Sequence, residues 1–128
     1  MAVTGRVMVV DDEFDIVFII RKYLERWGFD VDTFTNPLYA YEVFKANPER
    51  YALVLTDIRM PEMTGIRLAK LIQEIKPSMK VVIMTAYEVR PEELSEHLPT
   101  IAHQDILQKP FKLLQICTAV KKQLQAAN

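Results

Sequence analysis

One cysteine, two histidines and three glycines are all that this 128-residue chain holds of those types. The lone Cys117 excludes a disulfide framework within the chain, and its apolar setting, QICTAV, suits a small buried thiol better than a nucleophile or metal ligand. His97 and His103 fall in the fourth predicted helix and the connection after it, away from the acidic strand ends described below, so zinc and copper chemistry is poorly supported there. Charge of one sign is lacking too. Sixteen basic residues meet seventeen acidic ones for a net charge of −1, so nothing in the overall balance points to direct nucleic-acid contact or to an anionic membrane. No apolar run approaches the length needed to cross a bilayer, and MAVTGR lacks the charged start and apolar stretch of a secretory signal. The expectation is a cytoplasmic protein with no membrane partner.

What is present is apolar residue, at 50% of the chain, enough for one domain with its own core. Short apolar runs and helix-like segments alternate five times without a Gly/Ser-rich linker. The runs RVMVV (6–10), ALVLT (52–56) and KVVIM (80–84) are nearly continuous, as suits strands buried on both faces of a parallel sheet. DVDTF (30–34) alternates like an edge strand, and DILQ (105–108) is a weaker candidate. Helices are expected at about 13–27, 37–46, 62–75, 91–98 and 111–125, with Gly28 closing the first, Asn36–Pro37 opening the second and Pro77 stopping the third. A repeat of this kind predicts an α/β fold: a single doubly wound (βα)5 domain over residues 4–126, its parallel sheet covered on both faces.

Ligands of such sheets bind beyond the carboxyl ends of the strands. Those ends read Asp11-Asp12-Glu13, then Asp57, then Thr85-Ala86, then Lys109-Pro110. Adjacent carboxylates repel by about 4 kcal/mol per close pair at an effective dielectric of about 20. A hard dication such as Mg²⁺ offsets that repulsion and accepts a few carboxylate or carbonyl oxygens together with water and phosphate. Lys109 is held before a proline, which restricts its backbone and gives a positioned ammonium. A fixed cation, a metal and a carboxylate are what phosphoryl transfer needs, because catalysis there is mainly positioning and charge neutralisation. Each residue taken singly has a plainer role as a helix cap, a turn residue or a solvated lysine. Their convergence at four strand ends is what favours a site.

The strings VVDDE, LVLTDIRMPEMTGIRLAKLI, VVIMTAY and ILQKPF together resemble the receiver domain of two-component response regulators, a likeness running from Arg6 to about Gln125. The resemblance implies a flavodoxin-like five-stranded sheet of order 2-1-3-4-5, with Asp57 accepting a phosphoryl group from a histidine kinase or phosphotransfer protein. It implies Mg²⁺ held by Asp11, Asp12, Asp57 and the backbone carbonyl of Arg59, and catalytic roles for Lys109 and Thr85. It also implies a signalling module that catalyses only its own phosphotransfer and autodephosphorylation, acting on an unknown downstream effector. A phosphorylation-dependent homodimer is a further state to consider. Met60-Pro61 and Gly65 match the loop after the acceptor, with Pro61 expected to stiffen the turn and Gly65 to supply a backbone conformation closed to other residues. Glu13 is expected to orient water or to cap the first helix.

The pattern departs from the family at Ile106, where relatives carry Tyr or Phe; an aliphatic side chain has no polar tip with which to follow Thr85. The fourth helix is shortened between Pro91 and Pro99, which predicts an altered output surface. On the first helix a 100° wheel puts Ile16, Ile19, Ile20, Tyr23, Leu24 and Trp27 on the core stripe and turns Phe14 and Phe18 outward as a partner-docking patch. Two other functions compete with the receiver reading. A small Mg²⁺-dependent phosphatase is disfavoured because TDIRMP has Arg59, not Asp, two residues after Asp57. A phosphorylation-independent scaffold would keep partner binding after Asp57→Asn.

Overall fold

The computed structural model describes residues 5–85, 106–108 and 113–125. The predicted helix at 91–98, the shortened segment around it and the Lys109-Pro110 pair lie outside the described residues.

Apolar runs that could not be assigned to one face form strands because both faces are covered. β1 (Arg6–Val10), β2 (Val31–Phe34), β3 (Tyr51–Asp57), β4 (Lys80–Thr85) and β5 (Ile106–Gln108) make one parallel sheet in the order β2-β1-β3-β4-β5. Side chains alternate between two cores. Met8, Val10 and Val54 meet α2 (Pro37–Ala46) and α3 (Gly65–Ile75) through Phe44, Leu68 and Ile72. Val7, Val9 and Leu55 face α1 (Phe14–Arg26) and the C-terminal helix (Leu113–Gln125) through Ile20, Leu24 and Val120. Each such side chain, fully buried, stabilises the fold by about 1.5–3 kcal/mol. Cys117 belongs to the second core, where burial pushes its thiol up to about 11, so it packs as an inert hydrophobe.

Helix ends follow local chemistry. Asn36 Oδ1 accepts from the backbone N–H groups of Leu38 and Tyr39 at 2.9 and 3.4 Å, and Pro37 opens α2. α1 closes in a Schellman motif: Gly28, at φ +95°, donates to the Glu25 carbonyl and Phe29 donates to that of Leu24. Glu13 occupies the N-cap position of α1, but its side chain makes no capping hydrogen bond.

Three expectations are corrected. The buried row of α1 is Val17, Ile20 and Leu24, with Ile16 and Tyr23 at its margin, whereas Ile19 and Trp27 are 47% and 43% exposed. Trp27 lies beyond the last helical residue, where the wheel no longer applies, and its ring sits 5.8 Å from the Lys121 ammonium. α3 begins at Gly65 and not at 62, because Glu62 adopts φ +72° and Thr64 is the true cap, its Oγ1 accepting from the Arg67 N–H at 3.1 Å. Gly65 itself is not in a left-handed conformation. It is needed for space, since a β-carbon there would collide with the Asp57 carbonyl oxygen.

At the amino ends of the strands, opposite the acidic edge, one carboxylate ties three strands together. Asp32 of β2 accepts from Arg6 Nε (3.0 Å), Arg50 Nε (3.1 Å) and the Tyr51 hydroxyl (2.7 Å).

Candidate functional site

The strand order reverses at β1, with β2 on one side and β3 on the other, and the carboxyl ends of β1 and β3 define the crevice there. Register sets which residues meet. Val10 pairs with Thr56, so Asp11 and Asp57 follow side by side; Asp57 pairs with Met84, so Thr85 stands one step further along β4. Thr85 pairs in turn with Gln108, the last described residue of β5 before Lys109.

Asp11 prolongs the sheet by one residue, its backbone N–H donating to the Phe34 carbonyl at 3.1 Å. Its side chain is fully buried, and Oδ1 accepts the Glu13 N–H at 3.0 Å, which bends the chain back toward α1. Asp12 is exposed at the outside of that bend. Asp57 ends β3 with only 7% exposure, and its Oδ1 accepts the Ile58 N–H at 3.0 Å. In each of the two buried carboxylates a backbone N–H thus fixes Oδ1. The Asp57 main chain is held as well, since the Thr56 hydroxyl donates to its carbonyl at 2.9 Å and Gly65 packs closely against it. The Gly65 N–H then donates to the Ile58 carbonyl at 2.7 Å, fastening the start of α3 beneath the acidic edge.

Carboxylate oxygens of Asp11, Asp12 and Asp57 all lie within 4.8 Å of one another. At that spacing two ionised carboxylates repel by roughly 3–4 kcal/mol at an effective dielectric of about 20. The donors are hard oxygens, and the group contains neither His nor Cys. Oxygens bound to one Mg²⁺ stand about 3–4 Å apart, so three hard oxygens gathered this closely suit a small hard dication. Thr85 is buried at the end of β4, and Arg59 is exposed in the connection between β3 and α3.

Phe14 and Phe18 are 68% and 48% exposed, with ring centroids 6.1 Å apart. Phe14 follows the acidic triplet directly, so this aromatic pair starts at the rim of the site. Sequence reading missed the Ile58 and Glu13 amides that orient Asp57 and Asp11. Backbone donors leave no residue-type signal; only the turn-forming habit of Asp pointed to the second.

The chain matches the family model of the response regulator receiver domain over residues 7–121. It is 35% identical to the response regulator receiver protein CpdR of Brucella abortus (strain 2308), covering 95% of this chain and 98% of that one. It is 32% identical to sporulation initiation phosphotransferase F of Bacillus subtilis (strain 168), with 93% of each chain covered. A response regulator receiver protein from Sinorhizobium medicae WSM419 superposes with a TM-score of 0.84 at 27% identity over 98% of both chains. No helix among the described residues is long and apolar enough to cross a membrane. A flavodoxin-like sheet of order 2-1-3-4-5, an acidic pocket at its switch point and a family match over residues 7–121 agree that this chain belongs to the response regulator receiver domain family of two-component signalling.

Proposed function

We propose that Asp57 accepts a phosphoryl group from a phosphohistidine on a histidine kinase or phosphotransfer protein, and that residues 4–126 act as one receiver unit whose partner binding this modification switches. The observation that carries the reading is the nearly buried Asp57 carboxylate beside Asp11 and Asp12 at the sheet switch point. The Bacillus relative, a phosphotransferase by name, supports a place in phosphoryl relay.

In this reading an Asp57 oxygen forms a bond to phosphorus as the phosphorus–nitrogen bond to the imidazole breaks, and the leaving imidazole takes up a proton. The Ile58 N–H holds Oδ1 at 3.0 Å and so fixes the orientation of the attacking carboxylate. Asp11, Asp12, Asp57 and the Arg59 carbonyl would hold Mg²⁺, which would supply charge neutralisation for the transferring group. Thr85 donates its hydroxyl to a phosphoryl oxygen, and Lys109 pairs with another. Water attack on the same phosphorus breaks its bond to the Asp57 oxygen, releases inorganic phosphate and returns the free carboxylate. Phe14 and Phe18 dock the donor protein at the rim.

Intact-mass analysis after incubation with Mg²⁺ and a small acyl phosphate donor tests the assignment. The wild type is expected to gain one phosphoryl group and Asp57→Asn none; no gain in the wild type with any donor, or equal gain in both, overturns it.

A further inference from the structure

Opposite its buried row, α1 presents Asp15, Phe18, Ile19 and Lys22, a stripe at the 3-4 spacing of one helical face. Phe18 and Ile19 are about half exposed at its centre. The charges along the helix are segregated. Asp12, Glu13 and Asp15 stand at the amino end, whereas Arg21, Lys22 and Arg26 occupy the carboxyl half, where Glu25 is already paired with Arg21 at 3.4 Å. This polarity also complements the helix dipole, but that accounts for the charges and not for the two apolar residues between them.

We propose that two copies of this chain associate through α1, the helices antiparallel about a two-fold axis passing between Phe18 and Ile19. Such an axis brings each residue opposite the one equally far on the other side. Phe18 of one copy then covers Ile19 of the other, and Asp15 meets Lys22 twice over. Arg26 approaches the acidic amino end of the second helix. A parallel pair would set like charges against like, so the charge order selects the antiparallel arrangement and makes the surface complementary to itself. Lys22 already lies 5.6 Å from the Phe18 ring within one chain, so its ammonium flanks the apolar centre on the side that meets Asp15.

The 13-residue helix is about 20 Å long, and one such face buries less than the roughly 1,000 Å² of a tight interface. The association is therefore weak and concentration-dependent. It covers part of the face proposed above for donor docking, so a donor must displace the second copy; its measurement uses no donor, and either reading can fail alone.

Sedimentation equilibrium of the full chain from micromolar to millimolar concentration tests the proposal. The weight-average mass is expected to rise toward the dimer. Phe18→Glu and Lys22→Asp should each raise the half-association concentration by at least about tenfold. The double variant Asp15→Lys/Lys22→Asp, which restores the pair in reverse, should return close to wild type. Circular dichroism checks that each variant folds, as expected for exposed positions. A wild type that stays monomeric throughout, single variants that associate normally, or a double variant no better than Lys22→Asp alone would each overturn it.

Discussion

Gly65 lies against the carbonyl of Asp57 so closely that a β-carbon at residue 65 would overlap the oxygen. The start of α3 and the end of β3 thus share one position, and the Gly65 N–H to Ile58 carbonyl bond at 2.7 Å fastens them. Gly65→Ala must move backbone and not merely a side chain. It is expected to cost roughly 1–3 kcal/mol, the range for overpacking a close-packed interior, and, under the proposed function, to slow phosphorylation of Asp57 by displacing its carboxylate. Urea denaturation and acyl phosphate kinetics measure the two effects; a variant with wild-type stability would mean that the close approach is relaxed in solution.

Asp32 gives the fold a pH dependence of definite sign. Burial raises its pKa, but hydrogen bonds from Tyr51, Arg50 and Arg6 together outweigh this and leave it below the ordinary value of 3.8. A carboxylate whose folded pKa is depressed contributes stability above its unfolded pKa, and that contribution is lost as pH falls from about 4 through the folded value. Tyr51, pushed up to about 12 by burial and by Asp32, stays a donor throughout. Asp32→Asn is expected to cost about 1.5–3 kcal/mol at neutral pH, as for hydrogen bonds to a charged group. Its stability should also fall less steeply than that of the wild type below about pH 4. Parallel acid slopes for the two proteins would remove Asp32 from the account.

Most of the fold was legible because the strongest sequence signals are of the kind that tertiary context reinforces. The nearly continuous apolar run RVMVV predicts a strand buried on both faces, and it is β1 residue for residue. Asn36–Pro37 was read as a cap and first-turn pair, and it opens α2. The α1 wheel failed for a specific reason: it counted Ile19 as core and left out Val17, turning the stripe away from the sheet. Ile and Val are equally apolar, so composition could not tell which of them the sheet would cover. The helix expected from about 62 starts only at Gly65, because the turn through Thr64 and Gly65 depends on contact with Asp57 that residue types do not display. The acidic residues were legible from their places at strand ends, but their common spacing within 4.8 Å is a property of register that only the folded sheet defines.

Glu62 holds φ +72° in the loop that follows Asp57. Such a backbone costs a non-glycine residue roughly 1–2 kcal/mol, whereas glycine adds about 0.4–1 kcal/mol of unfolded-state freedom. Glu62→Gly is therefore expected to stabilise the chain by about 0.5 kcal/mol. A denaturation midpoint that falls instead would show that the Glu62 side chain contributes more than its backbone costs.

Phe18 separates docking from chemistry under the proposed function. Its ring is half exposed and stacks on Phe14 at the rim, outside both buried cores. Phe18→Ala should slow phosphotransfer from the cognate donor protein by about tenfold, the 1.4 kcal/mol of a modest interface contact. An unchanged rate of transfer from the protein donor would sink the docking role.

Asp12 should affect stability in opposite directions with and without metal. Its carboxylate stands within 4.8 Å of those of Asp11 and Asp57, so three negative charges crowd the metal-free site. Removing one by Asp12→Asn relieves repulsion, which solvent moderates because Asp12 is exposed. The metal-free variant is accordingly expected to melt slightly above the wild type. A ligand that binds only the folded state adds stability as its concentration exceeds its dissociation constant, about 2.7 kcal/mol at a hundredfold excess. Mg²⁺ should therefore raise the wild-type melting temperature, move Asp12→Asn much less, and so invert their order, with a chelator restoring it. Equal shifts in the two proteins would mean that Mg²⁺ binds elsewhere, and the proposed assignment of Asp12 as a ligand would fall.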